Sequence, residues 1–319
     1  MTRAAARRSL RLCSPGAAAA VLLLCAPACA PPDKGKTIQV VLITKALDSE
    51  WWQRVRAGAE AAARADGAVR LAVLAPQREV NIDQQVAILE DQIVKKVAAL
   101  AVAPAGVSEV IPVLEKAKAA GIPVLIFDTD VPWPSKLSFI GLDNRLGGRL
   151  AGDYIVRAIE GRGKVAVIRG VLGVATHEER VAGFLEALAR APRVQCVAIQ
   201  PANSERALGM AVMENLLTSH PDLAAVFATN DQMALGAVEA VAGRGLTGKI
   251  VLVGFDATYE AVRAVQAGRL NATLAGHPEL MGRLAVEQAV RAARSQPIQP
   301  RIDIHTAVVT ADNAAAFLP

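Results

Sequence analysis

The stretch "SFIGLDNRLGG" at residues 138–148 separates two ways of folding this chain. Before it, short apolar runs alternate with helical patterns. "TIQVVLI" (37–43), "RLAVLA" (70–75), "AALAVA" (98–103) and "PVLIF" (123–127) read as buried strands. After it the rhythm resumes with "KVAVI" (164–168), "VQCVAI" (194–199), "LAAVFA" (223–228) and "KIVLVG" (249–254). Such alternation predicts parallel sheet with right-handed crossovers. That leaves one eightfold barrel or two open sheets. At 138–148 a short strand meets a polar turn and a new helix beginning about Asn144, which fits a crossing between two lobes better than a barrel. The expected fold class is therefore α/β, with two doubly wound parallel-sheet lobes.

Helical patterns fill the gaps. Residues 83–96 place Val86, Ile88, Leu89 and Ile93 on or near one face. Residues 205–218 carry Ala207, Met210, Met213, Leu216 and Leu217. Gly67, Gly121 and Gly243 fall where helices should stop.

The bulk properties agree with this reading. A chain of 319 residues has room for two domains of ordinary size. Its 53% apolar content, rich in Ala and Val, suits buried parallel strands. The net charge of +5 comes partly from Arg3, Arg7, Arg8 and Arg11. No basic stripe with interleaved aromatics is present, so no nucleic-acid partner is expected.

Residues 1–29 read as a targeting segment. Positive charge precedes "AAAAVLLLCAPACA", which is too short to span a membrane as a mature helix. "APA" then precedes Cys29, as in a lipoprotein signal whose Cys is acylated. The alternative is plain cleavage near Cys29 without lipid, and Pro27 favours it. The arginine pair Arg7–Arg8 is a weak match to twin-arginine export. The expected location is periplasmic or cell-envelope, membrane-tethered only if Cys29 carries lipid. The cysteines lie at 13, 25, 29 and 196, so Cys196 has no disulfide partner in the mature chain and reads as a small buried hydrophobe.

In open α/β sheets, ligands bind beyond the carboxyl ends of the strands. The residues there are Lys45 to Trp52, Ala103 to Ala105, Asp128 to Asp130, Val171 to His177, Asn203 to Arg206, Thr229 to Asp231 and Phe255 to Thr258. They are rich in charged, amide and aromatic side chains, and two such edges face to face would form a polar cleft. A sugar suits it: flat aromatics stack on the C–H faces while Asp, Asn and Arg take the hydroxyls. Trp51 and Trp52 supply flat surfaces, and Asp128, Arg180, Asn230 and Asp256 supply edge contacts. Alternatively, the tryptophan pair is one core and one surface residue at a helix start. Asp231 is expected to cap the helix after "FATN", and Asp48 and Ser49 are plausible caps.

Four segments carry a resemblance: "LDNRLGGRLAGDYI" (142–155), "QPANSERALGMAVMENLLTSHPDLAAVFA" (200–228), "ATNDQMALGAVEAV" (228–241) and "VLVGFDAT" (251–258). Together they resemble the periplasmic sugar-binding proteins of ABC importers, of the ribose/allose/galactose type, over about 37–312. The resemblance implies a three-segment hinge near 142–144, 275–277 and 302–304. It implies one lobe from 37–142 plus 277–303 and another from 143–276 plus 304–319. It also implies that Lys45, Trp51, Trp52, Asp128, Arg180, Asn230 and Asp256 hold the ligand. Ser49, Ala103, Thr129, Ser204, Phe255, Gly276 and His277 are expected at its margins. Three positions depart from the family pattern. Ser204 replaces a stacking aromatic, Gly276 a hinge Gln, and Thr129 the Arg or Glu after the cleft Asp. Lost bulk at Ser204 and Gly276 suggests room for a ligand larger than ribose, more polar or less ring-like, and Lys45 would serve a polyol as a donor and an acidic or phosphorylated sugar as a charge partner.

The function implied is that of a solute-binding protein. It captures a monosaccharide or polyol between its lobes as a monomer and delivers it to the permease subunits of an ABC importer. A sensing receptor that signals to a chemoreceptor or membrane kinase needs the same clamp. Asp128, Asp256 and His177 could be read as acid/base groups of a glycosidase. However, the sequence has no phosphate loop, dinucleotide fingerprint or nucleophile elbow. His177, His220, His277 and His305 are scattered. A binding protein rather than an enzyme is expected, with no cofactor and no metal. A sugar-responsive repressor is disfavoured, because an export signal stands where a DNA-binding domain would be.

Overall fold

The computed structural model describes residues 37–319. The segment 1–29 and Cys29 lie outside the described residues. The first eight elements are β1 (Ile38–Ile43), α1 (Glu50–Asp66), β2 (Val69–Leu74), α2 (Ile82–Val94), β3 (Ala99–Val102), α3 (Ile111–Ala119), β4 (Val124–Phe127) and β5 (Phe139–Leu142). Then come α4 (Asn144–Ala158), β6 (Gly163–Arg169), α5 (Ala175–Leu188), β7 (Val194–Pro201), α6 (Arg206–Ser219), β8 (Leu223–Ala228), α7 (Asp231–Gly243), β9 (Val251–Val253) and α8 (Tyr259–Gln266). The chain ends with β10 (Thr273–Leu274), α9 (Pro278–Ala293), β11 (Arg301–Ile304), β12 (Val308–Val309) and a 3₁₀ turn at Ala314–Phe317.

Two open parallel sheets result, and the barrel alternative is set aside. One has the order β11-β5-β4-β3-β1-β2, the other β7-β6-β8-β9. β10 and β12 form a small antiparallel pair. The chain passes between the sheets after β5, between β10 and α9, and between β11 and β12. β1, β3 and β4 are buried almost throughout, as strands covered by helices on both faces should be. In each sheet the strand order reverses once, between β1 and β3 and between β6 and β8. Ligand crevices open at such reversals, beyond the carboxyl ends of the strands.

Helix packing sets the loops. A Cβ added at Gly148 would lie 2.0 Å from the Arg180 carbonyl oxygen, so α4 and α5 touch backbone to backbone. That close approach fixes the height of Arg180 over the sheet edge. Gly67 ends α1 in the left-handed region at φ 72°, as its sequence position suggests.

Several local expectations need correction. Gly243 is the last residue of α7 rather than its stop, and the left-handed residue is Gly245 at φ 66°. Of the apolar face read in α2, only Leu89 is fully buried, with Gln85 and Gln92 beside it. Asp231 does not cap α7. Asn230 does, accepting from the Met233 N–H at 3.0 Å, while Asp231 is buried and accepts from Thr258 and Thr273. Ser49 occupies the N-cap position of α1 without a side-chain hydrogen bond. Cys196 is partly buried, its thiol pushed up by burial.

Candidate functional site

Loops from both sheets converge on one small cavity lined by Lys45, Trp51, Trp52, Glu79, Asp128, Thr176, His177, Arg180, Asn230 and Asp256. All seven residues read as the centre of a site are among them. Lys45, Trp51 and Trp52 follow β1, Asp128 follows β4, Arg180 lies on α5 after β6, Asn230 follows β8 and Asp256 follows β9. All but Arg180, which reaches in from α5, sit in the connection or first helical turn after a strand, where the topology brings loops together.

Trp51 and Trp52 are 5% and 3% exposed, so neither is a surface residue. Their rings meet edge to face, with centroids 6.5 Å apart and planes at 81°. Trp51 packs on Gly276: a Cβ there would come within 2.5 Å of the indole. The space expected from a Gly at 276 is therefore filled by Trp51 and gives the ligand no extra room.

Two cation–carboxylate pairs bracket the cavity. Lys45 Nζ lies 2.8 Å from Asp128 Oδ2, both groups buried, and the Thr129 hydroxyl donates to the same carboxylate at 2.9 Å. Arg180 donates from Nε to Asn144 Oδ1 at 2.9 Å and from Nη1 to the Thr229 carbonyl at 2.7 Å. Its guanidinium lies 3.6 Å above the Phe255 ring, and Asp256 Oδ1 stands 3.5 Å from Nη1. Burial raises Asp256 well above the usual carboxylate range, against Arg180, which lowers it; Asp231, Asp128 and Glu79 raise it further. Asp128 and Asp256 have φ values of 62° and 120°, backbone strain of the kind that collects at functional sites.

The cavity is only about 20 Å³, room for one water rather than a sugar, because these side chains are drawn onto one another. Contacts between α1 and the start of α8 lie beside it. Glu50 of α1 accepts from the Tyr259 N–H at 2.5 Å and the Glu260 N–H at 3.4 Å, at the start of α8. Arg54 stacks 4.0 Å over the Tyr259 ring and donates to the Ala257 carbonyl at 3.1 Å.

The residues expected at the margins divide. Ser49 and Ser204 line an adjoining cavity of about 30 Å³ with Glu79, Asn203 and Glu205. Ala103 is fully buried, its carbonyl accepting from Gln85, and does not line the cleft. Phe255 is likewise fully buried and serves as the floor under Arg180. Thr129 is buried behind Asp128. Gly276 and His277 face a separate cavity of about 250 Å³ with Phe317 and Pro319, because the indole of Trp51 lies between Gly276 and the cleft.

Three further residues line the cleft without having been read as ligand contacts: Thr176, His177 and Glu79. His177 was considered only as an acid/base group. It is buried, with Nδ1 2.9 Å from Thr229 Oγ1 and Nε2 3.1 Å from Ser204 Oγ, and burial lowers its pKa. Glu79 was missed because the loop after β2 was left out of the strand-end survey; the same rule would have reached it.

Comparison with known proteins places the fold in a family. Residues 40–297 match the periplasmic binding protein domain, and the chain belongs to that family. It is 34% identical over 270 residues to the ribose import binding protein RbsB of Escherichia coli, covering 85% of this chain and 90% of that one. It is 35% identical over 281 residues to a D-ribose/D-allose-binding protein of Pseudomonas aeruginosa, covering 86% of each. A periplasmic solute-binding protein of an ABC transporter from Actinobacillus succinogenes, solved with D-allose, superposes with a TM-score of 0.82 at 32% identity, over 88% of this chain and 99% of that one. One from Burkholderia graminis with D-arabinose gives 0.84 at 30%, over 89% and 99%. These relatives are binding proteins rather than enzymes, in line with the reading from sequence.

Proposed function

We propose that the protein is the periplasmic receptor of an ABC importer. It captures a monosaccharide or related polyol between two lobes and presents the closed form to the importer's membrane subunits. The lobes are 37–142 with 277–303, and 143–276 with 304–319. Lys45, Trp51, Trp52 and Asp128 act from the first, and Arg180, Asn230 and Asp256 from the second. The observation that carries this reading is the convergence of strand-end residues from both sheets on one cavity.

The mechanism is a clamp. A ligand that bridges both strand edges stabilises the closed state over the open one; a ligand touching one edge has no differential affinity and shifts nothing. Sugar hydroxyls would displace the contacts that Lys45, Asp128, Arg180 and Asp256 now make with one another. The tryptophan pair supplies a flat wall for the ring. Export by segment 1–29, with lipid on Cys29, belongs to the same proposal.

The test is a thermal-shift screen with D-ribose, D-allose, D-arabinose, myo-inositol and glycerol. A ligand at a hundredfold excess over its Kd adds about 2.7 kcal/mol. That raises the melting point by several degrees, at about 2–4 °C per kcal/mol in somewhat smaller domains. No shift with any neutral sugar or polyol, followed by none in calorimetric titration, refutes the proposal.

A further inference from the structure

Among the described residues that line the cleft, Glu79 is the one with a solvent-sealed side-chain atom that finds no hydrogen-bond partner. It sits in the loop between β2 and α2. The Trp52 indole N–H donates to Oε1 at 3.2 Å and fixes the carboxylate. Oε2 is sealed from solvent and finds no hydrogen-bond partner among the described residues. His177 Nε2 is 3.9 Å away, too far for a hydrogen bond, and the imidazole is held at both nitrogens by Thr229 and Ser204. Burial pushes the Glu79 carboxyl up, while the neighbouring His177, the Lys45 charge and Ser204 draw it down, to about 2. The carboxylate is therefore ionised at neutral pH. A buried, ionised oxygen without a donor is costly, and the cost disappears when a donor arrives.

The rest of the cleft says what that donor is. Lys45 is already matched by Asp128, and Arg180 is committed to Asn144, the Thr229 carbonyl and Asp256. Neutral hydroxyls can replace these contacts in kind, whereas an anion would add charge to a cleft that already holds the carboxylates of Asp128 and Glu79. Near Glu79 the wall is polar: the Ser204 hydroxyl and His177 stand there, bonded to each other.

We propose that Glu79 is a specificity-determining ligand contact. It accepts a hydroxyl of a neutral polyhydroxylated ring on the wall formed with His177 and Ser204, and it disfavours sugar acids and sugar phosphates. This rests on the sugar-capture reading above. Of the two roles open to Lys45, it favours the donor to a neutral polyol over the charge partner of an acidic or phosphorylated sugar.

The experiment is calorimetric titration of the full chain and of Glu79→Gln and Glu79→Asp. The probes are D-allose, D-ribose, D-arabinose and myo-inositol, the monodeoxy analogues of the tightest of these, and its carboxylate or phosphate derivative. Removing a charged hydrogen bond should weaken the parent ligand about tenfold or more in Glu79→Gln. One monodeoxy analogue should bind weakly to the unaltered protein and lose less than about twofold further in the variant, since both changes delete one interaction. The anionic derivative should bind at least about tenfold more weakly than its neutral parent, and the gap should narrow in Glu79→Gln.

Parent affinity within about twofold in Glu79→Gln overturns the proposal and leaves sugar capture standing. So does an equal loss for every deoxy analogue, which would make Glu79 a prop for Trp52. Failure of the unaltered protein to bind any neutral probe overturns the sugar-capture reading, and this proposal with it. If Glu79→Gln does not fold, Glu79→Asp, which keeps the charge and retracts it by one methylene, decides by the same cycle.

Discussion

Gly276→Ala adds a single methyl, and the structure gives its consequence. The new Cβ would stand 2.5 Å from Trp51 Cη2 and 2.6 Å from Cζ3, with Leu142 Cδ1 at 3.4 Å on another side. Ordinary carbon contacts begin near 3.5 Å, so the indole must withdraw by about 1 Å. The Trp51–Trp52 contact, centroids 6.5 Å apart, then shears, and the cleft wall moves with it. Overpacking of this kind costs about 1–3 kcal/mol, and loss of an aromatic pair about 0.5–1.5 kcal/mol. Since the two costs overlap, about 2 kcal/mol is a fair expectation, or a fall of several degrees in melting point. Calorimetry measures it, and near-UV circular dichroism follows the coupled indoles directly. Gly243→Ala is the internal control. It lies in a helix with nothing within 4 Å of the added carbon, so the melting point should hold or rise slightly. The packing argument is refuted if Gly276→Ala melts within a degree of the unaltered protein with an unchanged near-UV spectrum.

Two further outcomes follow from the same geometry. Burial pushes Asp231 up to about 7 from an ordinary 3.8, against the hydrogen bonds from Thr273 and Thr258 that lower it. The folded state then holds a proton that the unfolded state releases, so its contribution is fully present below 3.8 and is lost as pH rises through about 7. The whole difference is worth about 4 kcal/mol. Melting points between pH 4 and 8 should fall less steeply for Asp231→Asn, and parallel profiles would show that Asp231 does not govern the slope. Glu50→Ala removes the carboxylate that meets the start of α8 from the other half of the molecule. A charge at a helix N-terminus is worth about 0.3–1 kcal/mol, so ligand affinity should drop about two- to fivefold through a faster off-rate, although Glu50 does not line the cleft. An unchanged off-rate in stopped-flow fluorescence would mean that this contact does not bias closure.

Much of the molecule is legible in one dimension, for a definite reason. Buried parallel strands must be continuous apolar runs, and helices between them must be amphipathic, so element order survives in the sequence. The rule that ligands meet strand ends turns that order into a roster, and Lys45, Trp51, Trp52, Asp128, Asn230 and Asp256 come from it; Arg180, beyond the stretch Val171 to His177, comes from the family resemblance. Where the reading stopped short, the deciding quantity was a distance between residues far apart in the chain. Asn230 and Asp231 are equally good caps by type, and only the packing of Thr258 and Thr273 around Asp231 assigns the cap to Asn230. A glycine at 276 promises space in sequence, but the indole of Trp51, 225 residues earlier, takes it. Lys45 stands as a lone cation in the sequence; only the structure sets Asp128 2.8 Å from it. Local propensity and periodicity are written along the chain, whereas charge pairing and occupied volume exist only once distant segments have been brought together.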